Sequence, residues 1–231
     1  MIDLRLRSEE EELMDDLNCS GTVVSQTLKE LDTINDLLGG NAISMRAFKK
    51  VARSIERPLH VADLGCGSGD MMKKMAIWCR KHKIEARFTG VDANPNIVAY
   101  ARKHTAGFPE ISIECLNIFS KEFCQIKCDI LHACLFTHHF TGNQLNDLFR
   151  QFKTQASAHV IINDLHRHPL AYYSIKWLTS WFSRSYMVQN DAATSVARGF
   201  KKRELKHILQ QARIENYQLN WAWAFRWKLV Y

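Results

Sequence analysis

The 231-residue chain contains no apolar run long enough to cross a bilayer. Its charged amino-terminal stretch predicts no signal peptide. Its seven cysteines are odd in number and follow no regular spacing, which argues against a disulfide framework and suits reduced thiols in a cytoplasmic protein. Paired C-x₂-C spacings are missing, so Cys124, Cys128, His132 and Cys134 read as core residues of a strand region, and no metal is predicted. A contiguous basic stripe is missing too. The net charge of +7 is spread over dispersed lysines and arginines, with one short cluster at Lys201, Lys202 and Arg203, while Glu9 to Glu12, Asp15 and Asp16 make the amino-terminal segment acidic. That pattern predicts a solvated surface and no nucleic-acid partner.

What is present is organised around Val61-Ala62-Asp63-Leu64-Gly65-Cys66-Gly67-Ser68-Gly69-Asp70. The apolar run 59–64 predicts a buried strand, and the residues from Asp70 predict a helix over 70–82. Three glycines at alternate positions let the backbone turn sharply and let a ligand lie against it. A dinucleotide fingerprint would place glycine or alanine three positions after Gly67, where Asp70 stands, so a pyrophosphate ligand is disfavoured. A second strand over 86–92 ends at Asp92, where a carboxylate can accept hydrogen bonds from ribose hydroxyls. Asn94 can serve as the cap of the helix that Pro95 opens.

Further strands are predicted at 111–116, 128–135 and 158–164, and further helices at 95–105, 142–155, 168–182 and 201–212. Repeated strand–helix units imply a parallel sheet with helices on both faces. The tail from Ile214 to Tyr231 breaks the rhythm. Tyr217, Leu219, Trp221, Trp223, Phe225, Trp227 and Leu229 alternate with smaller or polar residues, predicting an antiparallel terminal pair of strands. Before Arg57 there is no strand pattern. Three amphipathic helices are expected there: a short one opened by Ser8, one following Ser20, and one carrying Ile43, Ala47, Val51 and Ile55.

This set of motifs resembles the class I S-adenosylmethionine-dependent methyltransferases, and within them the small-molecule enzymes of the quinone and aromatic-polyketide type. The resemblance rests on the glycine turn, Val-Asp-Ala-Asn-Pro at 91–95, Ile34 to Gly40, Leu135-Phe136-Thr137-His138-His139-Phe140, and Asp164-Leu165-His166-Arg167-His168-Pro169-Leu170-Ala171-Tyr172. It implies an α/β, Rossmann-like, mostly parallel seven-stranded sheet with an antiparallel carboxy-terminal hairpin. It also implies a helical lid at 1–57, a cofactor-binding domain at 58–231, and a substrate-covering insertion at about 166–200.

The cofactor implied is S-adenosyl-L-methionine, held by Asp63, Gly65, Gly67, Gly69, Asp92 and Ala93, with Asn117 and Ile118 at the adenine and Leu135 at the end of the fourth strand. The expected reaction is O-methylation of a phenolic or quinol-like small molecule by a monomer or homodimer. Ring C-methylation is the alternative; RNA methylation and a non-catalytic cofactor-binding subunit stand further off. A base motif of the Asp/Asn-Pro-Pro-aromatic type is missing from the fourth strand.

A histidine suits removal of an acidic hydroxyl proton near neutral pH. His139, His138 and His166 follow strands whose ends should line the cavity, whereas His60, His82, His104 and His207 do not. Arg167, Tyr172, Tyr173 and Trp177 are the expected substrate contacts, the arginine for an acidic group and the aromatics for a flat ring.

Overall fold

A computed structural model describes residues 3–231. Seven strands form one sheet in the order β3-β2-β1-β4-β5-β7-β6. They are β1 (Leu59–Leu64), β2 (Ala86–Asp92), β3 (Ile111–Cys115), β4 (Cys128–Cys134), β5 (Ala156–Leu165), β6 (Gln218–Ala222) and β7 (Arg226–Val230). The first five run parallel, β7 pairs antiparallel with β5, and β6 pairs antiparallel with β7. The predicted sheet and its terminal hairpin are therefore the observed ones. The hairpin reverses through Ala224 and Phe225, both at positive φ.

The two-residue period of the strands divides the core. Leu59 and Val61 of β1, with Phe88, Ile130 and Ile161, pack under α2 (Gly40–Ala52) and α3 (Asp70–Lys81). Ala62 and Leu64, with Leu131 and Ile162, pack under α6 (Gly142–Gln155) and α9 (Lys202–Gln211). Between them the chain carries α4 (Pro95–His104) and the short α5 (Lys121–Cys124). Asn94 caps α4, its side-chain oxygen accepting from the Asn96 and Ile97 amides, which frees Asp92 for other work.

Two stretches differ from the sequence reading. No helix starts at Ser8. One 3-10 turn covers Leu13–Asp15, and the amides of Leu13 and Met14 donate to the Asp191 carboxylate. The amino-terminal chain is thus held by α8 (Tyr186–Arg198), and a run of four glutamates gains nothing from coiling on itself. Conversely, inside the insertion expected at about 166–200, beyond the helix predicted at 168–182, the chain forms that 13-residue α8, started by the Ser185 hydroxyl on the Val188 amide. It follows α7 (Pro169–Phe182). The two remaining amino-terminal helices are α1 (Thr22–Leu37) and α2, separated by Gly39 in the left-handed region.

Candidate active site

The parallel strands end at a cavity of about 520 Å³, beside the point where strand order reverses between β1 and β4. The β1–α3 turn forms its floor. Gly65 and Gly67 take φ of 60° and 51°. A Cβ on Gly65 would collide with the Phe136 ring, so this position requires glycine. The Gly67 amide donates to Asp92 Oδ2 at 3.3 Å, and the Asn94 amide donates to Oδ1 at 3.0 Å. Burial raises the Asp92 pKa, these amides oppose the rise, and the carboxylate still borders the cavity.

Below the floor, Asp63 joins a buried polar chain. Its Oδ1 lies 2.6 Å from His132 Nδ1, and His132 Nε2 lies 2.9 Å from Ser44 Oγ. Asn163 Nδ2 donates to that hydroxyl at 3.0 Å. With both ring nitrogens engaged, His132 fixes α2, β1, β4 and β5 to one another.

The other end of the cavity is ionic. Beyond β4, Leu135 stands at φ 52°, an uncommon conformation for a branched residue, and turns the chain into Thr137-His138-His139. Asp164 receives Thr137 Oγ1 at 2.6 Å, the His138 amide at 3.1 Å and His138 Nδ1 at 2.7 Å. On the far side of that imidazole, Glu12 Oε1 lies 3.4 Å from Nε2. Burial alone would depress the His138 pKa, but Asp164 and Glu12 override it and raise it to about 9, while Asp164 is held far below the usual carboxylate range.

His139 lies ring to ring with His138 at 4.3 Å, and its Nδ1 is 2.7 Å from Asp15 Oδ1. His139 and Arg198 hold Asp15 ionised against its burial. The two arginines that frame this end act largely through carbonyls. Arg198 donates to the His138 and His139 oxygens and pairs with Asp15, and Arg7 donates to the His138 and Phe140 oxygens.

Of the residues singled out in the sequence, Asp63, Gly65, Gly67, Asp92, Ala93, Asn117, Ile118, Leu135, His138 and His139 line this one cavity. Gly69 lies just outside it as the left-handed residue before α3. His166 lies elsewhere, accepting from Trp221 Nε1, with burial lowering its pKa. Arg167 is buried and does not reach the cavity. It pairs with Glu204 at 2.5 Å and donates to the Leu4, Arg5 and Gly199 oxygens. Tyr172 is half-buried outside the cavity, and Tyr173 and Trp177 are 52% and 60% exposed on α7, which buries only Ala171 and Thr179.

The sequence reading missed Glu12, Asp15, Asp191 and Arg198, all of which line the cavity. They stand far from the motifs along the chain. The acidic segment of Glu9 to Glu12, Asp15 and Asp16 is the visible trace of Glu12 and Asp15.

Residues 61–157 match the family model described as a methyltransferase domain. No curated protein matches the chain. Among solved structures, the plantazolicin methyltransferase BpumL, in complex with a triazolic desmethylPZN analog and SAH, superposes with a TM-score of 0.66 at 15% identity over 90% of this chain and 88% of that chain. Magnesium protoporphyrin IX methyltransferase (ChlM) from Synechocystis PCC 6803, with bound SAH, gives 0.55 at 15% identity over 84% and 82%. The citrinin polyketide synthase CMeT domain gives 0.57 at 14% identity over 75% of this chain, and the match spans only 46% of that chain. At these identities the likeness is one of fold. The family match falls on the strands and turn that build the cavity floor, and the chain has the Rossmann-like fold of these methyltransferases.

Proposed function

We propose that the chain moves the methyl group of S-adenosylmethionine to the hydroxyl oxygen of a phenolic or quinol-like small molecule. The observation that carries this reading is His139. It borders the cavity past the end of β4, 21% of its side chain is exposed, and Asp15 faces its Nδ1. A carboxylate at one ring nitrogen favours the tautomer whose other nitrogen accepts a proton. His138 is unsuited to that task, since it keeps its proton at neutral pH between two carboxylates.

The cofactor would lie along the glycine turn, its ribose hydroxyls on Asp92 and its adenine between Asn117 and Ile118. The acceptor oxygen would stand in line with the sulfonium methyl at about 3 Å, with most of the rate gain coming from that positioning. An ordinary phenol ionises near pH 10, so transfer of its proton to His139 sharpens the nucleophile. An ionised hydroxyl also activates its own ring, so carbon methylation is the neighbouring reading for the same base.

The amino-terminal 57 residues act as the lid, and α8 covers the acceptor end. This role is supported by Thr27, Leu28, Leu31 and Asp32 of α1, and by Val188, Asp191 and Ser195 of α8, all at the cavity wall. Among the described residues no helix is long and apolar enough to cross a membrane, and a small aromatic acceptor fits a cavity of this size. The test is methyl-labelled S-adenosylmethionine with a panel of phenols, quinols and their amine analogues. O-methyl ethers are expected. Label found only on nitrogen or carbon contradicts the reading.

A further inference from the structure

We propose that Glu12, His138 and His139 bind one divalent transition-metal ion, of the zinc or cobalt kind, at the acceptor end of the cavity. Glu12 Oε1 and His138 Nε2 are buried atoms without a hydrogen-bond partner, and the ion would take the place of the His138 Nε2 proton, while His139 Nδ1 has the Asp15 carboxylate at 2.7 Å. All three lie within 4.8 Å of one another. Buried polar atoms are ordinarily paired, and two left unpaired beside a third ligand atom mark a place for an occupant. Among the described residues no other group of histidine, cysteine and carboxylate side chains converges in this way.

The spacing fits a small cation. Metal–ligand bonds of about 2.0–2.1 Å in a tetrahedron set the ligand atoms about 3.3 Å apart. Glu12 Oε1 stands 3.4 Å from His138 Nε2 and 3.9 Å from His139 Nδ1. The remaining edge, His138 Nε2 to His139 Nδ1, is within 4.8 Å. Two imidazoles and one carboxylate suit zinc, cobalt or iron; magnesium and calcium call for an all-oxygen set. The cysteine-rich stretch of β4 offers no rival, because both nitrogens of His132 are engaged by Asp63 and Ser44.

A second layer is already built. His138 donates its other ring N–H to Asp164 Oδ1 at 2.7 Å, and Thr137 and the His138 amide fix Asp164 Oδ2. A carboxylate behind a histidine is the usual means of orienting a metal ligand and raising its basicity. Asp15 Oδ1, 2.7 Å from His139 Nδ1, is the partner that the ion would displace from that nitrogen, and the cavity supplies the open side.

The catalytic use of the ion rests on the O-methylation reading, whereas its binding does not. An acceptor hydroxyl in the open position would lose its proton more readily on the ion. With Nδ1 on the ion His139 would carry its proton on Nε2, so in the loaded protein Asp15, displaced from that nitrogen, would take the acceptor proton in place of His139.

The experiment is a titration of Co²⁺ into full-length protein cleared of metal by chelator, followed by visible absorption and calorimetry. One Co²⁺ per chain is expected, with nitrogen–oxygen ligand-field bands and no thiolate charge-transfer band. Glu12→Gln should weaken binding at least about tenfold and Asp164→Asn about 10–100-fold. S-adenosylhomocysteine binding, unchanged in both variants, shows that they remain folded. Absence of stoichiometric Co²⁺, binding that Glu12→Gln leaves unaltered, or a thiolate band overturns the site. Phenol methylation by protein that binds no Co²⁺ also removes the ion, and leaves the reaction standing. Co²⁺ bound as expected without phenol methylation supports the site and removes the reaction.

Discussion

At the cofactor end of the cavity the chain offers a glycine-rich backbone and the carboxylate of Asp92; at the acceptor end it packs Glu12, Asp15, His138, His139, Asp164 and Arg198 together. The cofactor end comes from β1, β2 and the turns that follow them. The acceptor end draws on the amino-terminal chain, the turn after β4, the end of β5, and α8. In the proposed reading the first recognises a fixed ligand with local backbone geometry, and its residues must stay close in sequence. The second balances opposite charges across the fold, and each charge need only arrive at the same place.

That difference can be broken by mutation. The largest effect belongs to His139→Gln. It should lower the methyl-transfer rate about 10²–10⁴-fold, leave S-adenosylhomocysteine affinity unchanged, and lose its effect at high pH, where a phenol ionises unaided. Rate–pH profiles of both proteins check this. Next comes Arg167→Ala, which removes a buried guanidinium and leaves the Leu4, Arg5 and Gly199 oxygens without it, while Glu204, 30% exposed, can turn to solvent. Thermal unfolding should report a loss of about 1–3 kcal/mol for each buried oxygen left unpaired. Cofactor affinity should stay near that of the parent protein, since Arg167 touches neither end of the cavity.

Asp92→Ala is the counterpart at the cofactor end. It should weaken S-adenosylmethionine binding by about 1.5–3 kcal/mol per charge-assisted hydrogen bond lost, measured by calorimetry.

The smallest effect is at Asp32, which lines the cofactor side from α1 and accepts from Ser68 Oγ at 2.9 Å. Burial raises its pKa from 3.8 to about 6. Between those values the folded chain binds the proton that the unfolded chain has released, so stability falls as pH rises and the penalty is complete above pH 6. Asp32→Asn should therefore stabilise the protein by about 1–2 kcal/mol at pH 7 and by nothing below pH 4, in denaturant titrations at both pH values.

The same contrast explains what was legible in the sequence. The apolar run of β1 and the alternation at Trp227 and Leu229, together with the glycines of the first turn, foretold the sheet and the floor of the cavity, because both depend on near neighbours. Hydrophobic periodicity records that a side chain is apolar, not what it meets. Trp177 and Tyr173 look like pocket walls in sequence and stand in solvent on α7. Arg167 looks like a substrate anchor and is consumed by Glu204 and three carbonyls. Glu12 and Asp15 look like a solvated acidic run. Their ionised state at the cavity depends on His138, His139 and Arg198, more than 100 residues away.

The division of the cavity into two independent ends is tested most directly by titrating S-adenosylhomocysteine calorimetrically into the parent protein, Asp92→Ala and His139→Gln in parallel. The account predicts one site per chain, an unchanged Kd for His139→Gln, and a Kd at least about tenfold weaker for Asp92→Ala. Equal affinity in all three proteins, or a loss confined to His139→Gln, would contradict it.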